Sequence, residues 1–124
     1  MEIRKAVEWI GSSLDELRSF PADVRRVVGQ ALDDAEKGGE HPSVKALKGF
    51  GGRSVLEIVD DFDGDTYRAV YTVRFAGIIY VLHVFQKKAK KGIATPKHEL
   101  DLIETRLKRA EEHYKANYLK GAKK

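Results

Sequence analysis

The residues of this 124-residue chain that can do chemistry gather where apolar runs end. Residues 78–85 (IIYVLHVF) empty into Lys87, Lys88, Lys90 and Lys91, and Thr95-Pro96 follows. In the preceding alternating run, residues 67–75 (YRAVYTVRF), Arg68 and Arg74 share one face, while His83, Phe85 and Lys87 share a face of the next. Upstream, Lys45, Lys48 and Arg53 bracket a glycine-rich stretch, KGFGGR. Cations from separate segments meeting in one concavity hold phosphates, and a ring such as Phe85 offers a stacking surface worth about 1–3 kcal/mol per base. RNA adds a chemical opportunity, because its 2′-hydroxyl lies beside the scissile phosphate. Cleavage then needs a base for the 2′ proton, cations for the charge of the transition state, and an acid for the leaving 5′-oxygen. Arg68 and Lys87 or Lys88 suit charge stabilisation. Glu57, His83 or a lysine of depressed pKa suits the base, and Lys48, Arg53, Arg74, Phe85, Lys90 and Lys91 suit RNA binding.

Each residue also has a plainer reading. Arg68 can pair with Asp65 or Glu57, and His83 and Phe85 on an apolar strand can be core. Lys90 and Lys91 can be a solvated loop. KGFGGR lacks the G-x-x-x-x-G-K-[ST] order of a phosphate loop, so its glycines serve turns. Four histidines (His41, His83, His98, His113) at no metal-ligand spacing, and no cysteines, leave neither a metal nor another cofactor to expect.

A hydrophobic share of 42% against a charged share of 34% describes a globular chain rather than a disordered one. No apolar run approaches the roughly 20 residues that span a bilayer, so no membrane association and a cytoplasmic home are expected. The net charge of +4 is unevenly spread. Residues 1–44 hold six Lys/Arg against nine Asp/Glu, and residues 45–124 hold seventeen against ten. That asymmetry suggests a polyanion-facing half.

The elements that must position these residues follow from periodicity. Residues 4–10 alternate weakly, as a short strand does. Ser12-x-x-Asp15 and Ser13-x-x-Glu16 are helix-start patterns ahead of Leu17 and Phe20. Pro21 fits the first turn of a second helix, whose stripe is Val24, Val27, Val28, Ala31 and Ala35 and whose end is Gly38-Gly39. Residues 54–59 read as a strand, Asp63-Gly64 and Ala76-Gly77 as turns, and residues 78–85, apolar on both faces, as a central strand. Closely joined strands favour an antiparallel meander. Thr95-Pro96 reads as N-cap and first helical residue of a helix of about five turns, with the stripe Leu100, Ile103, Leu107, Ala110 and Tyr114.

The string LKGFGGRSVLEI, then YRAVYTV, then IIYVLHVFQKKAKKGIATPKHELDLIETR resembles the phage-related, HigB-like branch of the RelE/ParE superfamily of type II toxin–antitoxin toxins. The likeness covers roughly residues 44–110. It implies an α+β fold: a small curved antiparallel β-sheet with an N-terminal helical hairpin and a C-terminal helix. It implies one toxin domain over residues 1–118, with residues 119–124 a flexible basic tail. It also implies metal-independent cleavage of mRNA on the ribosome and a cognate antitoxin of the helix-turn-helix kind. By matching position, Arg68 and Lys87-Lys88 inherit the phosphate-contacting role, and Lys48 and Arg53 a weaker RNA-binding one. Glu57 is a family position of variable job. Two features depart from the pattern: Val59 stands where many relatives have a basic residue, and the KKAKKGIATP loop is longer. The same superfold includes ParE-like gyrase inhibitors, which need no catalytic groups, and a non-toxic phage-derived nucleic-acid-binding protein is a third reading.

Overall fold

The computed structural model describes residues 4–88 and 95–119, with Lys88 described in its backbone alone. Its elements are β1 (Ala6–Trp9), α1 (Ser13–Arg18), α2 (Ala22–Glu36), β2 (Val44–Ala46), β3 (Val55–Phe62), β4 (Asp65–Thr72), β5 (Ile78–Lys88) and α3 (Lys97–Tyr114). A π-helical turn, Lys115–Leu119, continues α3. The five strands form one sheet in the order β1-β5-β4-β3-β2. Strands β3, β4 and β5 are the expected meander, with Asp63 and Gly64 both at positive φ (53° and 86°) in its first turn, the hairpin geometry that matches strand twist. Two edges were not foreseen: β2 adds antiparallel to β3, and β1 pairs parallel with the first residues of β5.

Both faces of the sheet are covered. On one, Leu17, Phe20, Val24, Val28, Ala31, Leu32 and Ala35 of the helical hairpin pack on Leu56, Ile58, Tyr67, Ala69, Tyr71, Ile79, Val81 and Val84. On the other, Ile103, Leu107 and Ala110 of α3 are buried with Val55, Val70, Ile78, Tyr80, Leu82 and Phe85, and Leu100 and Tyr114 pack at the margin. The stripe read from the sequence is therefore the buried one. Removing this apolar surface from water, at about 25 cal/mol per Å², holds the layers together.

The strand β5 changes parity partway along. Tyr71 faces Val81 and Val70 faces His83, so Leu82 is an extra residue, a β-bulge. Before the bulge even-numbered residues face α3 (Ile78, Tyr80, Leu82), and after it Phe85 does, while Val84 turns to the hairpin. The bulge thus aims His83, Phe85 and Lys87 together at the α3 side. The Thr95-Pro96 expectation is corrected: Pro96 is the N-cap of α3, and the Thr95 hydroxyl caps nothing but turns inward. Pro21 likewise is the N-cap of α2 rather than its first residue.

Candidate functional site: two polar clusters on one sheet face

Glu57 and Arg68 form a closed cluster. Glu57 faces Val70 across β3–β4, and Arg68 lies two residues before Val70, so both sit among apolar neighbours on the α3 face. Their side chains are 1% and 2% exposed, and Arg68 Nη1 lies 3.0 Å from Glu57 Oε2. Arg68 Nη1 also donates to Thr95 Oγ1 at 3.2 Å, and that hydroxyl donates to Glu57 Oε2 at 2.8 Å. The plainer reading of Arg68, a partner for Glu57, is the geometry the fold adopts. An arginine at a solvent-facing hollow is not.

Lys87 lies one β5 residue pair beyond, opposite Thr66, and is partly buried. Burial, then the Arg68 charge, holds its ammonium below the ordinary lysine value, against the pull of Glu57. Lys88 pairs through its backbone with Asp65. Lys90 and Lys91 lie outside the described residues.

The remaining predicted cations do not join this end. Arg53 precedes β3, is exposed, and meets Glu40 at 2.6 Å. Arg74 follows β4, where it donates to Ser54 Oγ at 3.1 Å and to the Phe50 carbonyl at 3.3 Å. Lys48, exposed, follows Leu47, whose amide bonds Val55. All three therefore cluster by the Val55–Thr72 pair, six residues along β4 from the Thr66–Lys87 pair. At about 3.3 Å per residue that is about 20 Å. The expectation of one cation ring is corrected to two separate basic ends.

The second cluster is built on the bulge. His83, 4% exposed, stacks on Phe85 with ring centroids 4.9 Å apart and an 18° interplanar angle. Its Nε2 lies 2.6 Å from Glu99 Oε1 in the first turn of α3. Arg106 Nη1 donates to the Leu82 carbonyl at 3.0 Å and to His83 Nδ1 at 3.3 Å. A guanidinium has no lone pair to offer, so Nδ1 accepts and the imidazole proton belongs on Nε2, aimed at Glu99. Glu16 Oε1 stands 4.0 Å from Nδ1. Arg106 is itself buried, which lowers its pKa against the pull of Glu16. It lies against Gly11, at φ 61°, where an added Cβ would come 2.9 Å from the guanidinium carbon. Only glycine leaves room there without strain.

This cluster is open on one side. A cleft of about 340 Å³ is lined by Glu16, Ser19 and Phe20, by His83 to Gln86 of β5, and by Glu99. Glu99 and Arg106 carried no expectation from the sequence, and Glu16 and Thr95 were expected only at helix starts, not in a site. A signal existed for Arg106, which falls in the α3 stripe three residues after Ile103 and four before Ala110. Among the described residues no group of three or more His, Asp or Glu side chains is placed to hold a metal ion, and no helix is long and apolar enough to cross a membrane.

Comparison with known proteins follows the fold. Among curated proteins none matches the sequence significantly. A solved structure of a mutant form of the E. coli toxin RelE in the free state superposes with a TM-score of 0.54 at 19% identity, covering 86% of this chain and 97% of that one. The family model for phage-derived protein Gp49-like matches residues 15–108, three quarters of the chain and both polar clusters. The chain therefore belongs to the Gp49-like family of phage-derived proteins and is built on the RelE-like fold.

Proposed function

We propose that this protein is the toxin of a toxin–antitoxin pair and a metal-independent endoribonuclease that cuts mRNA on the ribosome, in the cytoplasm, until a cognate helix-turn-helix antitoxin silences it. One observation carries the reading: a carboxylate–imidazole pair, Glu99 and His83 at 2.6 Å, opens on a cleft beside an aromatic ring and shares its strand face with Lys87. Both lone-pair and proton positions of His83 are committed, to Arg106 and to Glu99. The base is then Glu99, oriented by His83, rather than His83 itself. Glu99 takes the 2′ proton, the 2′-oxygen attacks the adjacent phosphorus, and the bond to the next 5′-oxygen breaks. The products are a 2′,3′-cyclic phosphate and a 5′-hydroxyl that takes a proton from water, and the proton gained by Glu99 passes to the hydroxide left behind, which restores the carboxylate. Lys87 is four residues from His83, about 13 Å along the strand. At that separation it grips a neighbouring phosphate rather than the scissile one. Arg68 and Glu57 serve as the strut beneath Phe85 and Lys87.

The test is expression of the chain alone with mapping of mRNA 5′ ends. Codon-phased cleavage that Glu99→Gln suppresses supports the reading, whereas growth arrest with no phased ends contradicts it. The closed Arg68–Glu57 pair favours a second reading, a non-catalytic ParE-like gyrase inhibitor. Inhibition of gyrase supercoiling by the purified chain, unchanged in Glu99→Gln, selects that one.

A further inference from the structure

The basic end of the sheet that lies far from Lys87 has a run of aromatic rings beside it. Tyr80 faces Thr72 across β4–β5, close to the strand end where Arg74 follows. From Tyr80 the rings lead outward. Phe75 meets Tyr80 edge-on with centroids 5.7 Å apart, Tyr114 lies 5.1 Å from Phe75, and Tyr118 stacks on Tyr114 at 5.2 Å and 17°. Exposure rises along the run, from 0% at Tyr80 to 42% at Tyr118. The Tyr114 hydroxyl donates to the Ala76 carbonyl at 2.9 Å, which fixes the middle of the run.

Tyr118 belongs to neither core cluster, so packing of the core does not account for its place. It sits on the π-helical turn Lys115–Leu119, a geometry that is rare and concentrates at functional sites. Cations stand beside the run. Arg74, one residue before Phe75, bonds uncharged groups, the Ser54 hydroxyl and the Phe50 carbonyl. Lys48 is exposed and meets no carboxylate among the described residues. The carboxylates of this end are mostly engaged: Glu40 holds Arg53, and Glu111 meets Lys115 at 3.2 Å, while Glu112 is exposed on α3.

We propose that this end of the sheet is a second binding site, a foothold for single-stranded RNA, in which a base stacks on the open face of Tyr118 and neighbouring phosphates meet Arg74 and Lys48. Every base has a π-face, so an aromatic platform beside cations holds a single strand without reading its sequence. The bases of a duplex are stacked on one another and do not reach such a ring. A protein partner finds little to bury here, because Tyr118 and Leu119 are the only large apolar residues exposed among the described residues. The two basic ends stand about 20 Å apart along β4, a span that a strand of a few nucleotides bridges. Binding at the foothold needs no catalysis. Its consequence, that the foothold anchors the flank of the strand being cut, rests on the reading above.

The experiment uses the full chain, isotope-labelled, with a 2′-O-methyl RNA strand of about eight nucleotides as probe. This strand has no 2′-hydroxyl to attack and stays intact. Titration is expected to shift the amides of Phe75, Tyr114 and Tyr118. Tyr118→Ala weakens the strand about tenfold, whereas Tyr118→Trp, which keeps a platform, holds the wild-type affinity. The side chain is exposed, so both variants fold. Lys48→Gln lowers the slope of log affinity against log salt by about 1. A duplex of the same length that binds as tightly, an acidic peptide of like charge that shifts the same amides as strongly, or wild-type affinity in Tyr118→Ala overturns the proposal. Tyr118-dependent binding by a chain that cuts no RNA supports the foothold and removes only the ribonuclease reading. Cleavage by a chain that shows no such binding removes only the foothold.

Discussion

The two charged clusters share a sheet face and lie one strand apart, yet they meet the same physical problem differently. Glu57, Arg68 and Thr95 are bonded to one another and lie out of reach of solvent. His83, Glu99 and Arg106 use a bulge, a helix start and a helix middle to hold a carboxylate at the mouth of a cleft. An ion pair taken out of water stabilises little in net terms, because desolvation cancels most of the attraction, and its loss is felt only when one partner goes. A carboxylate kept in reach of solvent but fixed by an imidazole is ready to exchange a proton. On the proposed reading, the difference separates a residue that resembles a catalyst by type and position from one placed to act.

Breaking the closed cluster has the largest consequence. Arg68→Ala leaves Glu57 charged and buried, and urea unfolding is expected to show a loss of about 3–5 kcal/mol. Any fall in activity of that variant then reports on folding. At the open cluster the proposed function reverses the order: Glu99→Gln is expected to lower RNA cleavage about 10²- to 10⁴-fold, while thermal unfolding is expected to show a stability change under about 1 kcal/mol, since the amide oxygen still accepts from His83. Thr95→Val, which strips the hydroxyl shared by Arg68 and Glu57, costs about 1–3 kcal/mol by the same unfolding measurement.

The smallest effect lies away from both clusters. Burial pushes the Tyr71 phenol up to about 12, and its hydroxyl has no hydrogen-bond partner among the described residues. The folded state holds that proton more tightly than the unfolded chain does. The stability linked to it is therefore fully present below pH 10 and is lost as pH rises from there through about 12. Tyr71→Phe is expected to change neutral-pH stability by less than about 1 kcal/mol and to flatten the alkaline fall in a pH series of unfolding curves.

Much of the frame was legible because its signals are periodic. The α3 stripe, the Tyr67–Ala69–Tyr71 face and the Asp63-Gly64 turn all appear where spacing and turn chemistry put them. The chemistry was less so. A strand apolar on both faces carries no alternation, so the parity change at Leu82 is invisible in it, although the bulge is what assembles the site. Thr95 before a proline has the pattern of a helix cap, and only the tertiary fold reveals that its hydroxyl serves a buried ion pair. Glu99 in a first helical turn passes as a partner for the helix dipole. The basic residues were counted correctly as many, but composition says nothing of the distance between Arg53 or Arg74 and Lys87.

On the proposed reading, Arg68 and Glu57 are a buried pair that balances its own charge and does not touch substrate. Replacing both at once, as Glu57→Met with Arg68→Met, removes the buried charges without stranding either, which in packed interiors is close to neutral. Unfolding and RNA cleavage measured on this double variant give the decisive comparison. Wild-type-like stability with cleavage retained within about threefold is the expected result. A folded double variant whose cleavage has fallen a hundredfold or more would place Arg68 or Glu57 in the chemistry and contradict the account.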